Sequence, residues 1–437
     1  MIPSLIAFAA LFGQVLLRVP IAFAMIITGT VGFALLRNWP ASLRLSGNAA
    51  FDTVFSFTLS VIPLFILMGN LLTRSGVSDA LFLTAHRGLY RLRGGLAMAT
   101  IVACGGFSAV CGSSLATAAT MSKVAMPSMR KTGYADSLAT GSIAAGGTLG
   151  ILIPPSVILI IYGLITEADI GKLFLAGILP GLLGVLFYIG AVAVTVRFKP
   201  ELAPQEAGTA PISRADINGV IAVVGLFAVI MIGIYGGIFT PSEAASVGAL
   251  FALLIAIVRG KLSLRDYLEL CIDTARTSAM IFALIIGAEI FSNFISYAGL
   301  PDAILAWVSS LDVGPYMVIL ALVLVYILLG AVLESLSMIL LTVPIFYPLV
   351  LSLDFGPGWL GDPDNLTIWF GILVVVVTEI SLISPPVGLN VFVLRSVVRD
   401  VPITTMFRGI LPFWAADICR LAMLIGLPAI SLLLVGG

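Results

Sequence analysis

The chain has 437 residues, of which 60% are hydrophobic and 10% charged, with a mean hydropathy of +1.17. Soluble globules carry roughly 25% charged residues, so that class is excluded and a polytopic membrane protein remains. Lys and Arg balance Asp and Glu at 22 each, and the net charge of zero gives no reason to expect nucleic acid as a partner.

At about 20 residues per span, the length allows on the order of a dozen spans, some of them re-entrant. Met1 to Leu36 is apolar apart from Arg18-Val19-Pro20, which predicts a helix, a tight turn and a second helix. Ala7-Phe8-Ala9 imitates a signal-peptidase site, but no positive charge precedes it and the apolar run continues to Leu17, so an uncleaved first helix is expected. Phe51 to Leu72 reads as one further span carrying Pro63. From Ser78 to Arg93 the pattern is amphipathic, as in a helix lying along the interface, and its His86 reads as a surface residue. A single histidine builds neither a His-based metal site nor a proton relay. Cys104, Cys111, Cys271 and Cys419 lack metal or disulfide spacing and read as small hydrophobes.

Gly95 to Cys111 returns to the membrane, and Gly112-Ser113-Ser114 interrupts it before a segment that ends at Lys123 and Pro127. Each arm is short for a span, which predicts a re-entrant hairpin over about 105–130 with its tip at Ser113 and Ser114. The next stretch, GSIAAGGTLGILIPPS from Gly141 to Ser156, combines Gly146, Gly147 and Gly150 with Pro154 and Pro155. Each glycine weakens a helix by roughly 1 kcal/mol, and each interior proline removes a backbone donor at about 3 kcal/mol. A discontinuous helix over about 136–165 is therefore predicted. In hydrocarbon such a break survives only when protein or a polar cavity satisfies its backbone, which makes it a binding-site candidate. Leu173 to Val196 follows as a full span.

The polar stretch 199–216 reads as a linker between a first repeat, 1–198, and a second, 217–437. Ile217 to Ile238 and Ala244 to Val258 form an antiparallel pair, and Thr240-Pro241-Ser242-Glu243 between them has the residues of a capping box, so Thr240 and Glu243 are assigned to structure. The second half then repeats the first. Ser75 to Leu81 matches Ala298 to Ile304 at an offset of 223 (298 − 75), and Ser113 falls near Ser335 at 222 (335 − 113). A second hairpin is expected at about 326–353 and a second broken helix at about 366–398, its break in ISLISPPVGLN from Ile380 to Asn390. Between Arg276 and Arg395 there is no Lys or Arg, whereas the loop after the first hairpin carries Arg130 and Lys131. By the positive-inside rule the two copies are inverted. Glu289, Glu334 and Glu379 stand in apolar surroundings without a basic neighbour in sequence, which suggests a cation, a proton or backbone donors as their partners.

GGTLGILIPPS at Gly146 to Ser156, ITEADIGKLFLAGILPG at Ile165 to Gly181, FTPSEAA at Phe239 to Ala245, LTVPIFYP at Leu341 to Pro348 and EISLISPPVGLNVFV at Glu379 to Val393 resemble the large membrane subunit of the tripartite ATP-independent periplasmic transporters. The resemblance covers nearly the whole chain. It implies an all-α, multi-pass protein of the bacterial inner membrane, built as two inverted repeats and working as an elevator. It also implies sodium as the coupling ion, no other cofactor, and import of a small organic acid such as a C4-dicarboxylate or sugar acid. Its implied partners are a periplasmic substrate-binding protein and a small four-helix membrane subunit, here expected as a separate chain. Glu334 stands where many members have Asp, Ser381 where Gly is frequent, and Ser384 where Thr precedes the proline pair.

Hydroxyl and backbone oxygens suit sodium, a hard cation. The expected sodium ligands are Ser113, Ser114, Gly146, Thr148 and Gly150 in the first repeat, and Ser335, Ser337, Ser384, Pro385 and Val387 in the second. Substrate is expected against Ser114, Gly147, Pro154, Pro155, Ser156, Pro386 and Asn390. The same small residues also suit close helix packing, which stays open at this point. An enzyme is not expected: no zinc-binding histidine set, paired aspartate or Asp-rich prenyl site occurs, and no GxxxxGK[ST] is present for ATP. The alternative is a carrier of the same broad superfamily that takes sodium or protons and needs no binding protein.

Overall fold

The computed structural model describes residues 2–205 and 213–436, and among them there are helices and no strands. Part of the expected linker, 206–212, lies outside the described residues. Helices α1 (Ile2–Leu16) and α2 (Ile21–Leu36) are joined at Arg18, whose φ of 66° turns the chain back. They are followed by α3 (Trp39–Phe55), α4 (Val61–Arg74), α5 (Val77–Leu89), α6 (Gly95–Cys111), α7 (Ser114–Lys131), α8 (Asp136–Thr148), α9 (Val157–Thr166) and α10 (Ile170–Phe198). The second half runs α11 (Arg214–Tyr235), α12 (Pro241–Arg259), α13 (Leu264–Tyr297), α14 (Leu300–Ser310), α15 (Pro315–Gly330), α16 (Ser335–Leu351), α17 (Pro363–Ile383), α18 (Leu389–Val397), α19 (Ile403–Gly426) and α20 (Ala429–Leu432). From α5 onward the order recurs: an 11- or 13-residue helix, a hairpin of two helices, a broken helix and a long helix appear as α5 to α10 and again as α14 to α19.

Six of the described helices are long and apolar enough to cross a membrane, and both arms of the second hairpin, with α6 of the first, are among the shorter apolar helices. The most buried is α17, in which every residue from Leu366 to Ile383 is enclosed by protein. Its run of β-branched residues would favour strand in water, but here packing on all sides and the need to satisfy every backbone group internally impose helix. Around it pack α10, α15, α16 and α19, and Trp369 donates its indole N–H to the Leu424 carbonyl at 3.0 Å. Helix α8 crosses α19 where Gly141 meets Gly409 backbone to backbone, an approach that a side chain on either would block.

Two expectations are corrected. Phe51 to Leu72 is not one continuous helix: it takes in the end of α3 and most of α4, which meet at a bend of 59°. Pro63 lies in the first turn of α4, where the missing N–H would be unpaired in any case, so it marks a helix start. His86 is buried rather than exposed, on a helix against which both α6 and α11 pack. The amphipathic helix itself ends at Leu89.

The polar stretch after α10 turns through Pro200–Leu202, where the Leu202 carbonyl accepts from Ala135 N at 3.0 Å. It is already helical at Arg214, with Ser213 and Asp216 capping α11 reciprocally. Thr240 and Glu243 do the same for α12. Thr240 N donates to Glu243 Oε2 at 2.8 Å, and Glu243 N to Thr240 Oγ1 at 3.3 Å.

Candidate functional site: two helix breaks under two hairpins

The first break begins where α8 loses its regular bonding after Thr148. A short turn follows over Leu149–Ile151, and α9 starts only at Val157. Ser156 caps it from both sides, since its hydroxyl donates to the Ile151 carbonyl and accepts from Leu159 N at 3.3 Å. The second break separates α17 from α18 over 384–388. Each break contains one cis prolyl bond, Pro154-Pro155 and Pro385-Pro386.

The tip of the first hairpin rests on the first break. Gly112 takes a left-handed turn (φ 60°), and Ser113 caps α7, accepting from Ala116 N at 3.4 Å. A methyl on Gly150 would stand 3.0 Å from the Ser113 carbonyl oxygen, and one on Gly112 would stand 3.3 Å from the Pro155 oxygen. Gly147 lies against Ala118 and Gly146 against Cys104, which ties the break to both arms. Five expected residues, Ser113, Gly146, Gly147, Gly150 and Pro155, therefore share one place. Thr148 does not turn toward it: its hydroxyl bonds the Ala145 carbonyl at 2.7 Å and lies 3.1 Å from Tyr188 Oη on α10.

In the second repeat Ser335 and Ser337 are buried in the first turn of α16, with Ser337 Oγ donating to Glu334 Oε2 at 3.4 Å. Gly330 at the end of α15 meets Ser381 of α17 closely. Ser384 is enclosed, donating to the Ile380 carbonyl at 2.7 Å and accepting from Trp414 Nε1 at 2.8 Å. Pro385 and Pro386 are exposed and Val387 half-buried.

The two repeats are interlocked at these breaks. Helix α7 of the first hairpin packs on α18 beyond the second break, and α16 of the second hairpin packs on α9 beyond the first. Ser114 Oγ donates to Asn390 Oδ1 at 2.8 Å, and Asn390 Nδ2 donates to the Ala144 carbonyl at 3.1 Å, so one buried amide joins hairpin, broken helix and opposite repeat.

Of the three glutamates expected to lack a basic neighbour, Glu379 alone has a basic partner among the described residues. Glu379 is paired with Arg420 of α19, which also approaches Asp417 at 2.9 Å, and all three are fully buried. Glu289 accepts from Thr53 at 3.4 Å and lies with Asp52 on the wall of a cavity of about 540 Å³ between α3, α9, α13 and α16. None of the expected sodium or substrate residues borders that cavity. Its two carboxylates make it a poor place for an anion.

Residues 8–430 match the family described as "Tripartite ATP-independent periplasmic transporter, DctM component". The chain is 34% identical over 401 residues to the C4-dicarboxylate TRAP transporter large permease protein DctM of Pseudomonas aeruginosa, covering 90% of each. It is 31% identical over 439 residues to the isethionate TRAP transporter permease protein DctMQ of Oleidesulfovibrio alaskensis, spanning the whole of this chain but 66% of that protein. Among solved structures, the YdaH transporter of Alcanivorax borkumensis, described as having an unusual topology, superimposes with a TM-score of 0.62 at 16% identity over 88% of each chain, a likeness of fold. Family match, relatives and apolar spans together make this a multi-pass protein of the bacterial inner membrane and no enzyme. The chain belongs to the tripartite ATP-independent periplasmic transporter family, as its large permease subunit.

Proposed function

We propose that this subunit imports a small organic acid by symport with sodium, using an elevator movement. In this reading a transport domain carries both hairpins and both broken helices, α6 to α9 and α15 to α18, while α1 to α4 and α11 to α13 form the fixed scaffold. The observation that carries it is the interlock of α7 with α18 and of α16 with α9. Each hairpin grips the re-entry helix of the opposite repeat, so these elements move as one body if they move at all. The inverted charge of the two halves supports opposite entry of the hairpins, and inverted repeats with discontinuous helices place substrate and ion near the midplane.

Sodium is assigned to the two breaks. The ligands proposed for the first are Ser113, Ser114 and the stretch from Gly146 to Gly150, where Gly150 lies against the Ser113 carbonyl; those proposed for the second are Ser335, Ser337 and the residues from Ser384 to Val387. Substrate is assigned to the adjoining surface of Gly147, Pro154 to Ser156, Pro386 and Asn390. An organic anion is favoured because the relatives are named for C4-dicarboxylate and isethionate, both small acids. The partners are the small membrane subunit and the periplasmic binding protein of the family. The longer DctMQ relative, of which this chain covers 66%, fits a small subunit carried on the same chain there.

Omission experiments in proteoliposomes test the partner requirement. Uptake is expected with the large subunit, small subunit and binding protein together, and loss of either partner should abolish it. Uptake of free substrate by this subunit alone would overturn the reading in favour of a carrier that needs no binding protein.

A further inference from the structure

Between α10, α17 and α19 lies a charged cluster that the transport reading leaves unused. Tyr188, Glu379, Asp417 and Arg420 each have no solvent-accessible surface. Room for the guanidinium comes from Gly184, one turn before Tyr188 on α10, where any side chain would collide with Arg420. Arg420 reaches both carboxylates through the same nitrogen, Nη2. It pairs with Glu379 Oε2 and stands 2.9 Å from Asp417 Oδ1, close enough for an ion pair but off the direction of a hydrogen bond. Tyr188 donates its only proton to Asp417 Oδ2 at 2.6 Å, and its ring lies 5.9 Å from the guanidinium carbon.

Two carboxylates and one guanidinium leave a net charge of −1 if all three are ionised. An uncompensated charge in such a place costs several kcal/mol, and no further charge among the described residues is paired with it. Of the other helices packed on α17, α9, α15 and α16 bring tyrosines, of which Tyr162, Tyr326 and Tyr347 are hydrogen-bonded to Thr367 or Thr342 and Tyr316 stacks on Phe355. Helix α8 brings Asp136, paired with Arg130, and α18 brings Arg395, bonded to carbonyls of the loop that follows it. A metal ion in place of the missing charge would need several free oxygens. Among the described residues no group of three or more His, Cys, Asp or Glu is arranged to hold one.

We propose that the cluster is a proton-binding site, occupied at neutral pH, with the proton on Glu379. Asp417 keeps its charge because both its oxygens are engaged, Oδ2 by the Tyr188 hydroxyl and Oδ1 by the Arg420 charge at 2.9 Å although without a hydrogen bond, whereas Glu379 is engaged through Oε2 alone and its Oε1 has neither. The step is a simple protonation: a proton from solvent forms an O–H bond on a Glu379 carboxylate oxygen, and one negative charge disappears. The cluster touches the first break through Tyr188, whose Oη lies 3.1 Å from Thr148 Oγ1.

Infrared difference spectroscopy on the full-length protein in a bilayer tests this, because a protonated carboxyl has a carbonyl stretch that an ionised one lacks and that shifts on deuterium exchange. Wild type is expected to show such a band at neutral pH. Glu379→Gln should remove it by removing the acid. Asp417→Asn should also remove it, since Glu379 then balances Arg420 by itself and ionises. Should Glu379→Gln fail to fold, Asp417→Asn reads the same band alone. Absence of the band in wild type, or a band that survives both substitutions, would overturn the proposal.

Discussion

Ser114 and Asn390 lie 276 residues apart in sequence and are joined by a buried hydrogen bond of 2.8 Å, with Asn390 passing the connection on to the Ala144 carbonyl. That amide is a single point at which the first hairpin, the first broken helix and the second break are fixed to one another. Replacing it by alanine leaves both the Ser114 hydroxyl and the Ala144 carbonyl without their partner. Asn390→Ala is expected to destabilise the protein by about 1–3 kcal/mol. Thermal melting of the purified chain should register the loss, with uptake falling in parallel.

Gly150 tests the contact between hairpin and break. Its added methyl group would sit 3.0 Å from the carbonyl carbon and oxygen of Ser113, and backbone cannot swing aside as a long side chain does. Gly150→Ala should cost about 1–3 kcal/mol by overpacking and raise the sodium concentration for half-maximal uptake. Gly190→Ala, with nothing within 4 Å, is the control and should match wild type. Equal sodium dependence in both variants would detach the ion from this break.

Thr240 and Glu243 are assigned to a helix cap, which separates two substitutions. Thr240→Ala removes the side-chain acceptor for Glu243 N and should lower stability by about 1 kcal/mol. Glu243→Gln still accepts from Thr240 N and should keep most transport activity. Abolished uptake in well-folded Glu243→Gln would show that the carboxylate does more than cap.

Outside the membrane, Arg130 Nη2 stands 2.6 Å from Asp400 Oδ2 and Arg130 Nε donates to Asp136 at 2.9 Å, tying the end of α7 to the loop after α18. The hydrogen bond from Arg130 holds the Asp400 carboxyl below its ordinary range. A carboxyl lowered on folding stabilises above its unfolded value, about 3.9, and that contribution is lost as pH falls through the lower folded value. Protection from amide exchange in 132–136 and 398–402, taken relative to the intrinsic amide rate at each pH, should be unchanged from pH 7 to about 5 and fall below about 4 in wild type. In Asp400→Asn, which has no carboxylate to lose there, that loss of protection in acid should be smaller.

Much of this architecture was legible because glycine and proline announce it. The glycines and prolines of Gly146 to Pro155 and Pro385 to Gly388 weaken helix, and α8 stops at Thr148 and α17 at Ile383. The bend between α3 and α4 carries no glycine or proline of its own, and Pro63, in the first turn of α4, reads from sequence as part of a continuous span. His86 is buried on a helix that α6 and α11 pack against, and the packing of α11 on α5 is a long-range contact that local amphipathicity does not encode. Arg420 was the larger omission. It stands 41 residues after Glu379 in an apolar helix, yet its spacing of three from Asp417 puts both charges on one helical face, and that pairing was the available signal. Thr148 was expected among ion ligands by composition, but its hydroxyl faces Tyr188. Residue type does not fix the direction in which a side chain leaves the helix.

The central claim is sodium-driven import, and the most direct measurement is uptake by the complete three-component complex in proteoliposomes under an imposed sodium gradient at constant pH. Accumulation should follow the inward sodium gradient, increase with an inside-negative potential by roughly 2.3 kcal/mol per net positive charge per 100 mV, and vanish when sodium is equal on both sides and no potential is applied. Accumulation that ignored sodium and followed a pH gradient instead would contradict the account and move the coupling from the helix breaks to the buried carboxylates.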